Sequence, residues 1–301
     1  MKLIVRGMAG VVALGLCMLR GPAPAGVTAH GQFYLRAIPA SAAHHLQAPH
    51  IHLREGTSLN WSGYAVETSL SNPASNAVSG VVGSWTVPTA AKSSKYTYSS
   101  AWVGIDGYSD NTVEQIGTEQ DGTPRGGSYY AWFEMYPNYS YEIVGFPVVP
   151  GDEITAQVQC LGSELIVVKD PSERKNRDRE AGKKNIGRVV QTFQLTIANV
   201  TEDVAFTISE QTQGAELQSA EWIMEAPSEW SVLPLADFGT VDFYGCEATF
   251  NGVTGPGPIS DAAWQYDALT METNGKTPVT KALPSALGSG GEAFSIAWKH
   301  Q

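Results

Sequence analysis

Residues 152–160 read Asp-Glu-Ile-Thr-Ala-Gln-Val-Gln-Cys. Ile154, Ala156, Val158 and Cys160 fall on one side of an extended chain, and Thr155, Gln157 and Gln159 on the other. Successive side chains of a strand point to opposite faces, so this pattern predicts a strand with one buried face. The same period recurs further along: Phe193, Leu195 and Ile197 alternate with polar residues, as do Val204, Phe206 and Ile208. Turns containing glycine and proline separate these runs, and helical periodicity is scarce. Many short alternating strands predict an all-β chain, a sandwich or a barrel. No Pro/Ser linker or internal repeat divides the stretch after Glu55, so one large β domain is expected over residues 56–301.

The N-terminal end reads differently. Lys2 and Arg6 precede an apolar run, Met8 to Leu19, and small residues follow in Ala23-Pro24-Ala25 and Val27-Thr28-Ala29. That order is a secretory signal peptide, expected over residues 1–25 with cleavage as late as residue 29. The run is shorter than the ~20 apolar residues a span requires, so a secreted protein without a stable membrane anchor is expected. Residues 26–55 hold His30, His44, His45, His50 and His52, five of the six histidines, and read as a pro-segment or leader. The sixth is His300, so the domain has no histidine until its last two residues. Serine and cysteine hydrolases of the usual kinds need an imidazole base, and zinc hydrolases lean on histidine ligands. No metal and no other cofactor is therefore expected.

From Gly56 on there are 29 Asp and Glu against 14 Lys and Arg, and eight of those bases lie between Lys169 and Arg188. This stretch also carries Asp170, Glu173, Asp178 and Glu180 and reads as a solvated hairpin loop. So acidic a domain is a poor nucleic-acid binder, because that work needs Lys and Arg. It suits acid: carboxylates are largely neutral at pH 2 to 3, and few bases remain to repel one another. Cys160 and Cys246 leave two readings open, one disulfide or two separate thiols. Sequons occur at Asn60, Asn138 and Asn199 and matter only in a glycosylating host.

Three predicted strands carry chemistry on the face opposite their apolar one. In Ser100–Asp106 that face holds Trp102, Gly104 and Asp106. In Tyr129–Tyr136 it holds Tyr130, Trp132, Glu134 and Tyr136. In Ala220–Glu225 it holds Glu221, Ile223 and Glu225. Tryptophan beside carboxylate marks a binding groove rather than an ordinary solvated face, and such a groove fits polypeptides or sugars. Three readings follow from the residues alone: Glu134 and Glu225 as a glycosidase carboxylate pair, one carboxylate activating water against an amide, or a non-catalytic carbohydrate-binding sandwich.

Five segments together resemble one family. They are Asn60-Trp61-Ser62-Gly63-Tyr64, Ala101-Trp102-Val103-Gly104-Ile105-Asp106-Gly107, Gln115, Tyr130-Ala131-Trp132-Phe133-Glu134-Met135-Tyr136-Pro137, and Ala220-Glu221-Trp222-Ile223-Met224-Glu225. Their order and spacing over roughly Leu59 to Phe243 are similar to the glutamic peptidases, or eqolisins, secreted acid endopeptidases of fungi and some prokaryotes. The resemblance implies a sandwich of two long antiparallel sheets, with Gln115 and Glu225 as the catalytic pair. It implies that Trp61, Trp102, Asp106, Trp132 and Glu134 line or support the substrate cleft, and that Glu221 is the acidic residue four places before the catalytic one. Polypeptide substrates and a monomer are expected with it. The histidine-bearing leader itself suggests an inhibitor that lies over the acidic groove at neutral pH and loosens in acid, as its histidines gain charge and the groove carboxylates lose it. The chain departs from the family pattern in having Tyr130 where an aspartate is usual and Ile116 after the glutamine where a threonine is usual. Lys169–Arg188 looks like an insertion, and cysteines are fewer, which leans toward a prokaryotic member.

Overall fold

A computed structural model describes residues 33–38, 48–169, 185–228 and 230–301. The expected signal peptide, most of the expected leader and residues 170–184 of the basic stretch lie outside the described residues. Those described form eighteen strands and no helix. One sheet runs β1 (Tyr34–Ala37), β9 (Tyr141–Val144), β8 (Gly126–Tyr136), β7 (Val113–Thr123), β6 (Ser100–Ile105), β13 (Ser219–Glu225), β4 (Trp61–Glu67), β16 (Gln265–Glu272). The other runs β12 (Val204–Thr212), β11 (Asn185–Asn199), β10 (Glu153–Lys169), β5 (Val78–Thr86), β14 (Thr240–Phe250), β18 (Phe294–Trp298), β17 (Thr280–Pro284).

Strand β16 joins the two sheets. Its first half pairs with β4, and its second half pairs with β17 and, in parallel, with the short β3 (Thr57–Ser58). β2 (His52–Arg54) adds to β3, and β15 (Gly257–Pro258) adds to β14. Every other pairing between these strands, among the described residues, is antiparallel. The result is the expected sandwich, built as one ribbon of strands folded over at β16.

The core lies where the inner faces meet. Ala101, Val103 and Ile105 of β6, Phe133 of β8, and Trp222 and Met224 of β13 pack against Trp85 of β5, Ile154, Ala156 and Val158 of β10, and Phe193, Leu195 and Ile197 of β11. Each large apolar side chain so buried contributes ~1.5–3 kcal/mol relative to exposure. The core tryptophans satisfy their N–H groups inside it: Trp85 Nε1 donates to Thr118 Oγ1 at 3.0 Å, Trp222 Nε1 to the Val82 carbonyl at 2.7 Å, and Trp264 Nε1 to the Ile259 carbonyl at 3.0 Å.

Two sequence expectations sharpen here. Cys160 and Cys246 are separate thiols, the first half-buried and the second buried. They sit on β10 and β14 with β5 between, so at least two strand spacings, ~9–10 Å, part them. That exceeds the ~7 Å a disulfide can bridge. Asp106 does not continue β6. It follows the strand in a left-handed conformation (φ 69°), and Gly107 continues the turn (φ 98°).

Candidate active site

The outer face of the first sheet gathers the groove residues in register. Glu225 of β13 lies opposite Trp61 of β4 and Ser100 of β6. Ile223 lies opposite Gly63 and Trp102. On the far side of β6, Trp102 faces Gly117 of β7, which faces Trp132 of β8. Gly104 faces Gln115, which faces Glu134. Trp61, Trp102, Gln115, Trp132, Glu134 and Glu225 therefore share one face, the one turned away from the sandwich core. Val113, Ile223 and Leu269 fill the space between the tryptophans in a second apolar cluster, with Tyr108, Tyr130 and Tyr136 at its margin.

Two glycines make the floor possible. A Cβ at Gly104 would stand 2.8 Å from Trp102 Cζ3, and one at Gly117 would stand 2.3 Å from the Ala101 carbonyl and 2.5 Å from Trp102 Cβ. Their bare backbones let the Trp102 indole lie along the sheet. Trp61 meets it edge-on, with ring centroids 4.9 Å apart. Trp132 Nε1 donates to Ser100 Oγ at 2.9 Å, which fixes the third indole.

Glu225 is fully buried against this floor. Trp102 Nε1 donates to its Oε2 at 2.9 Å, Asn60 Nδ2 donates to its Oε1 at 3.3 Å, and a hydrogen bond from the Ala48 backbone also reaches it. Burial raises its pKa well above the ordinary carboxylate range, the nearby Glu134 charge raises it further, and the three donors act in the opposite direction. Gln115 is buried as well, and its Nε2 donates to Glu134 Oε2 at 3.2 Å. Across Ser100 from Glu225 stands the buried Glu119, hydrogen-bonded to Ser100 and Asp121, its pKa also driven up by burial.

Residues 48–51 run over this site. Trp61 Nε1 donates to the Ala48 carbonyl at 3.0 Å. Asn60 Nδ2 lies 3.2 Å from the carbonyls of both Ala48 and Pro49. His50 donates its backbone N–H to the Gly107 carbonyl at 2.8 Å, and the Ile51 N–H donates to Asn60 Oδ1 at 2.9 Å. The His50 ring stacks on Tyr108 (5.1 Å, 6° between planes) and on Trp61 (5.7 Å, 26°). Burial pushes the His50 pKa down to about 4.

A belt of buried acids lies beyond Gln115. Asp106 accepts the backbone N–H groups of Leu217 (2.8 Å) and Gln218 (2.7 Å), so it anchors that loop rather than lining the cleft. It shares a hydrogen bond with Asp110, and burial raises both pKa values. Glu67, Glu114 and Glu221 stand nearby, each with its pKa raised by burial first and by the neighbouring carboxyls next. Among the described residues no group of three or more His, Cys, Asp or Glu is arranged to hold a metal ion.

Sequence reasoning passed over Asn60, Tyr108 and Glu119 as site residues. Asn60 stood in a quoted block, but only the structure shows one amide serving both Glu225 and the carbonyls of Ala48 and Pro49. Asn60 and Asn199 are fully buried, so neither sequon is open to a glycan.

Aspergillopepsin-2 of Aspergillus niger is 34% identical over 163 residues, 52% of this chain and 47% of that protein. The match thus spans about half the length of that relative. Among solved structures, scytalido-glutamic peptidase with a transition state analog inhibitor superposes with a TM-score of 0.57 at 21% identity, over 80% of this chain and 98% of that one. SCP-B, described as a member of the eqolisin family and bound to the tripeptide Ala-Ile-His, superposes with a TM-score of 0.51 at 20% identity and the same coverage. Those two likenesses carry the β-sandwich fold. The Peptidase A4 family model matches residues 59–184 and 188–288, which include every strand that bears a site residue, and the chain belongs to that family, the glutamic peptidases or eqolisins.

Proposed function

We propose that this chain is a secreted, acid-acting endopeptidase in which Glu225 and Gln115 form the catalytic pair. The observation that carries the reading is the setting of Glu225: a buried carboxylate on an aromatic floor, held by indole and amide N–H donors, on the same sheet face as Gln115. Hydrolysis proceeds without a covalent intermediate. Glu225 takes a proton from water as the water attacks the peptide carbonyl. The Gln115 amide donates to the oxyanion that forms, and Glu134, which accepts from that amide, orients it. Glu225 then passes its proton to the leaving nitrogen.

The residue types suit acid. An imidazole base is protonated and inert well below pH 6, whereas a glutamine amide does not titrate. Burial holds Glu225 protonated while the leader covers it; once the leader departs and water enters, the Trp102 and Asn60 donors remain to favour the anion that acts as base. The N-terminal order of basic, apolar and small residues supports export of the chain.

The leader is the inhibitor in this reading. Ala48 and Pro49 occupy the donors of Asn60 and Trp61, and Ala48 reaches Glu225, so a substrate cannot bind until they leave. The test is digestion of a denatured protein at pH 2 to 5, with and without pepstatin. Pepstatin-resistant cleavage that disappears in Glu225→Gln and in Gln115→Ala, with circular dichroism unchanged, is expected. Full activity in either variant removes the pair from the mechanism.

A further inference from the structure

We propose that Trp61, Tyr108 and the Gly107 carbonyl form a substrate subsite that selects a flat, uncharged side chain at the third residue on the leaving-amine side of the scissile bond. The proposal rests on the peptidase reading and deepens it.

The leader supplies the direction of the chain. Its Ala48 backbone reaches Glu225, the group that serves the leaving nitrogen. Ala48 thus stands where the first leaving-side residue of a substrate stands, Pro49 where the second stands, and His50 where the third stands. The protein holds this segment by its backbone: Asn60 and Trp61 take the Ala48 and Pro49 carbonyls, and Gly107 takes the His50 N–H. Backbone contacts of this kind accept any sequence, so they set register and leave selection to side chains.

One side chain meets a shaped surface. The His50 ring lies nearly parallel to Tyr108, against Trp61, and edge-on to His52 at 5.5 Å. Tyr108 is held in place from beneath, since its hydroxyl donates to Asp267 Oδ2 at 2.8 Å. Its backbone follows the Asp106–Gly107 turn, where both residues have positive φ. A rigid aromatic pair on a fixed turn is a slot for a third flat ring.

Imidazole is not the best occupant. Nδ1 of His50 lies 3.3 Å from the Tyr108 carbonyl, and the ring's other backbone contact, to Thr57, is weak, so Nε2 is buried without a well-formed hydrogen bond. A buried nitrogen left unpaired carries a penalty that a phenyl ring does not. The slot is thus built to hold His loosely in the leader and Phe or Tyr more tightly in a substrate. A charged Lys or Glu would bring its charge into the same buried space.

The experiment uses the full chain after incubation at pH 3.5. It measures kcat/KM on quenched fluorescent peptides that differ only at the third leaving-side residue: Phe, Tyr, His, Ala or Lys. Phe and Tyr are expected to exceed Ala by about 10-fold, as an aromatic contact of this kind supplies, with His below Phe and Lys lowest. In Tyr108→Leu the Phe-to-Ala ratio is expected to collapse toward one. Tyr108→Phe, which keeps the ring, is expected to retain most of the ratio. Cleavage of all five peptides at equal rates, or an unchanged ratio in Tyr108→Leu, overturns the subsite and leaves the peptidase reading standing. Cleavage of none overturns the peptidase reading and the subsite with it.

Discussion

The indole N–H of Trp102 lies 2.9 Å from Glu225 Oε2, and both groups are fully buried. A donor aimed at a buried carboxylate favours its anion, which here opposes the burial that drives the pKa up. Trp102→Phe keeps a flat ring over Gly104 and Gly117 but removes the donor. A hydrogen bond to a charged group is worth ~1.5–3 kcal/mol, or about one to two pH units. The Glu225 pKa should therefore rise, and the acidic limb of the kcat/KM profile should move upward by about that much. A pH-rate profile from pH 2 to 6 on the acid-treated variant checks this; an unmoved limb would show that the bond does not tune the base.

Gly117 supports the same indole from below. With a Cβ, the residue would collide with the Ala101 carbonyl and Trp102 Cβ, and neither is the free end of a flexible side chain. Gly117→Ala should therefore destabilise the fold by roughly 1–3 kcal/mol, the usual cost of overpacking. It should also displace Trp102 from Glu225, so activity should fall more than the fraction folded does. Thermal melts and activity measured on the same sample separate the two losses.

How legible these features were depended on the physics involved. The inner faces of β6, β8, β10 and β13 were plain, because burial imposes apolar residues at every second position and Phe193, Leu195 and Ile197 do the same on β11. Strand β7 was opaque. It carries polar residues on both faces, with Glu114, Thr118 and Gln120 toward the core and Gln115, Glu119 and Asp121 toward the cleft. Alternation cannot orient such a strand; its register against Gly104 and Glu134 does so. Asp106 was read one position too far into its strand, since the Asp-Gly pair is where the chain turns. The docking of Ala48 and Pro49 left no trace in the sequence because it works through backbone carbonyls, which every residue has. His50 was read only as one histidine of a leader; its aromatic slot is assembled from Trp61 and Tyr108, far apart along the chain.

The acid belt sets how stability depends on pH. Glu67 is pushed up to about 7, and Asp106, Glu114 and Glu221 are also raised, each first by burial. In the unfolded chain such groups ionise near pH 4 to 4.5. A group whose pKa is raised on folding contributes stability that is fully present below its unfolded pKa and is lost as pH rises through its folded pKa. Each proton kept by the native state but shed by the unfolded chain costs ~1.4 kcal/mol per pH unit in that window. The melting temperature should therefore be highest near pH 3 to 4 and fall steadily to pH 7 and beyond. Glu114→Gln, neutral at every pH, should flatten the fall. Calorimetry across pH 3 to 8 checks both, and a melting temperature that rises toward pH 7 would contradict the sign.

His50 titrates in the opposite sense. Free imidazole has a pKa near 6.5, and the docked ring is pushed down to about 4, mainly by burial and also by the neighbouring His52. The Tyr108 and Thr57 carbonyls and Asp267 oppose the shift only in part. A group whose pKa is depressed on docking supports the docked state above its free value and withdraws that support as pH falls. Between pH 6.5 and 4 the leader should therefore loosen by about 100-fold, from a difference of that size in pKa. The same acid that steadies the sandwich thus frees its cleft. His50→Phe tests the point, because its ring fills the slot and cannot be protonated. The variant should stay latent at pH 3.5 long after the parent chain shows peptidase activity, with a lag lengthened at least about 10-fold, once allowance is made for protonation of Glu225 beneath Ala48. If the variant and parent activate at equal rates, the latch lies elsewhere in the leader.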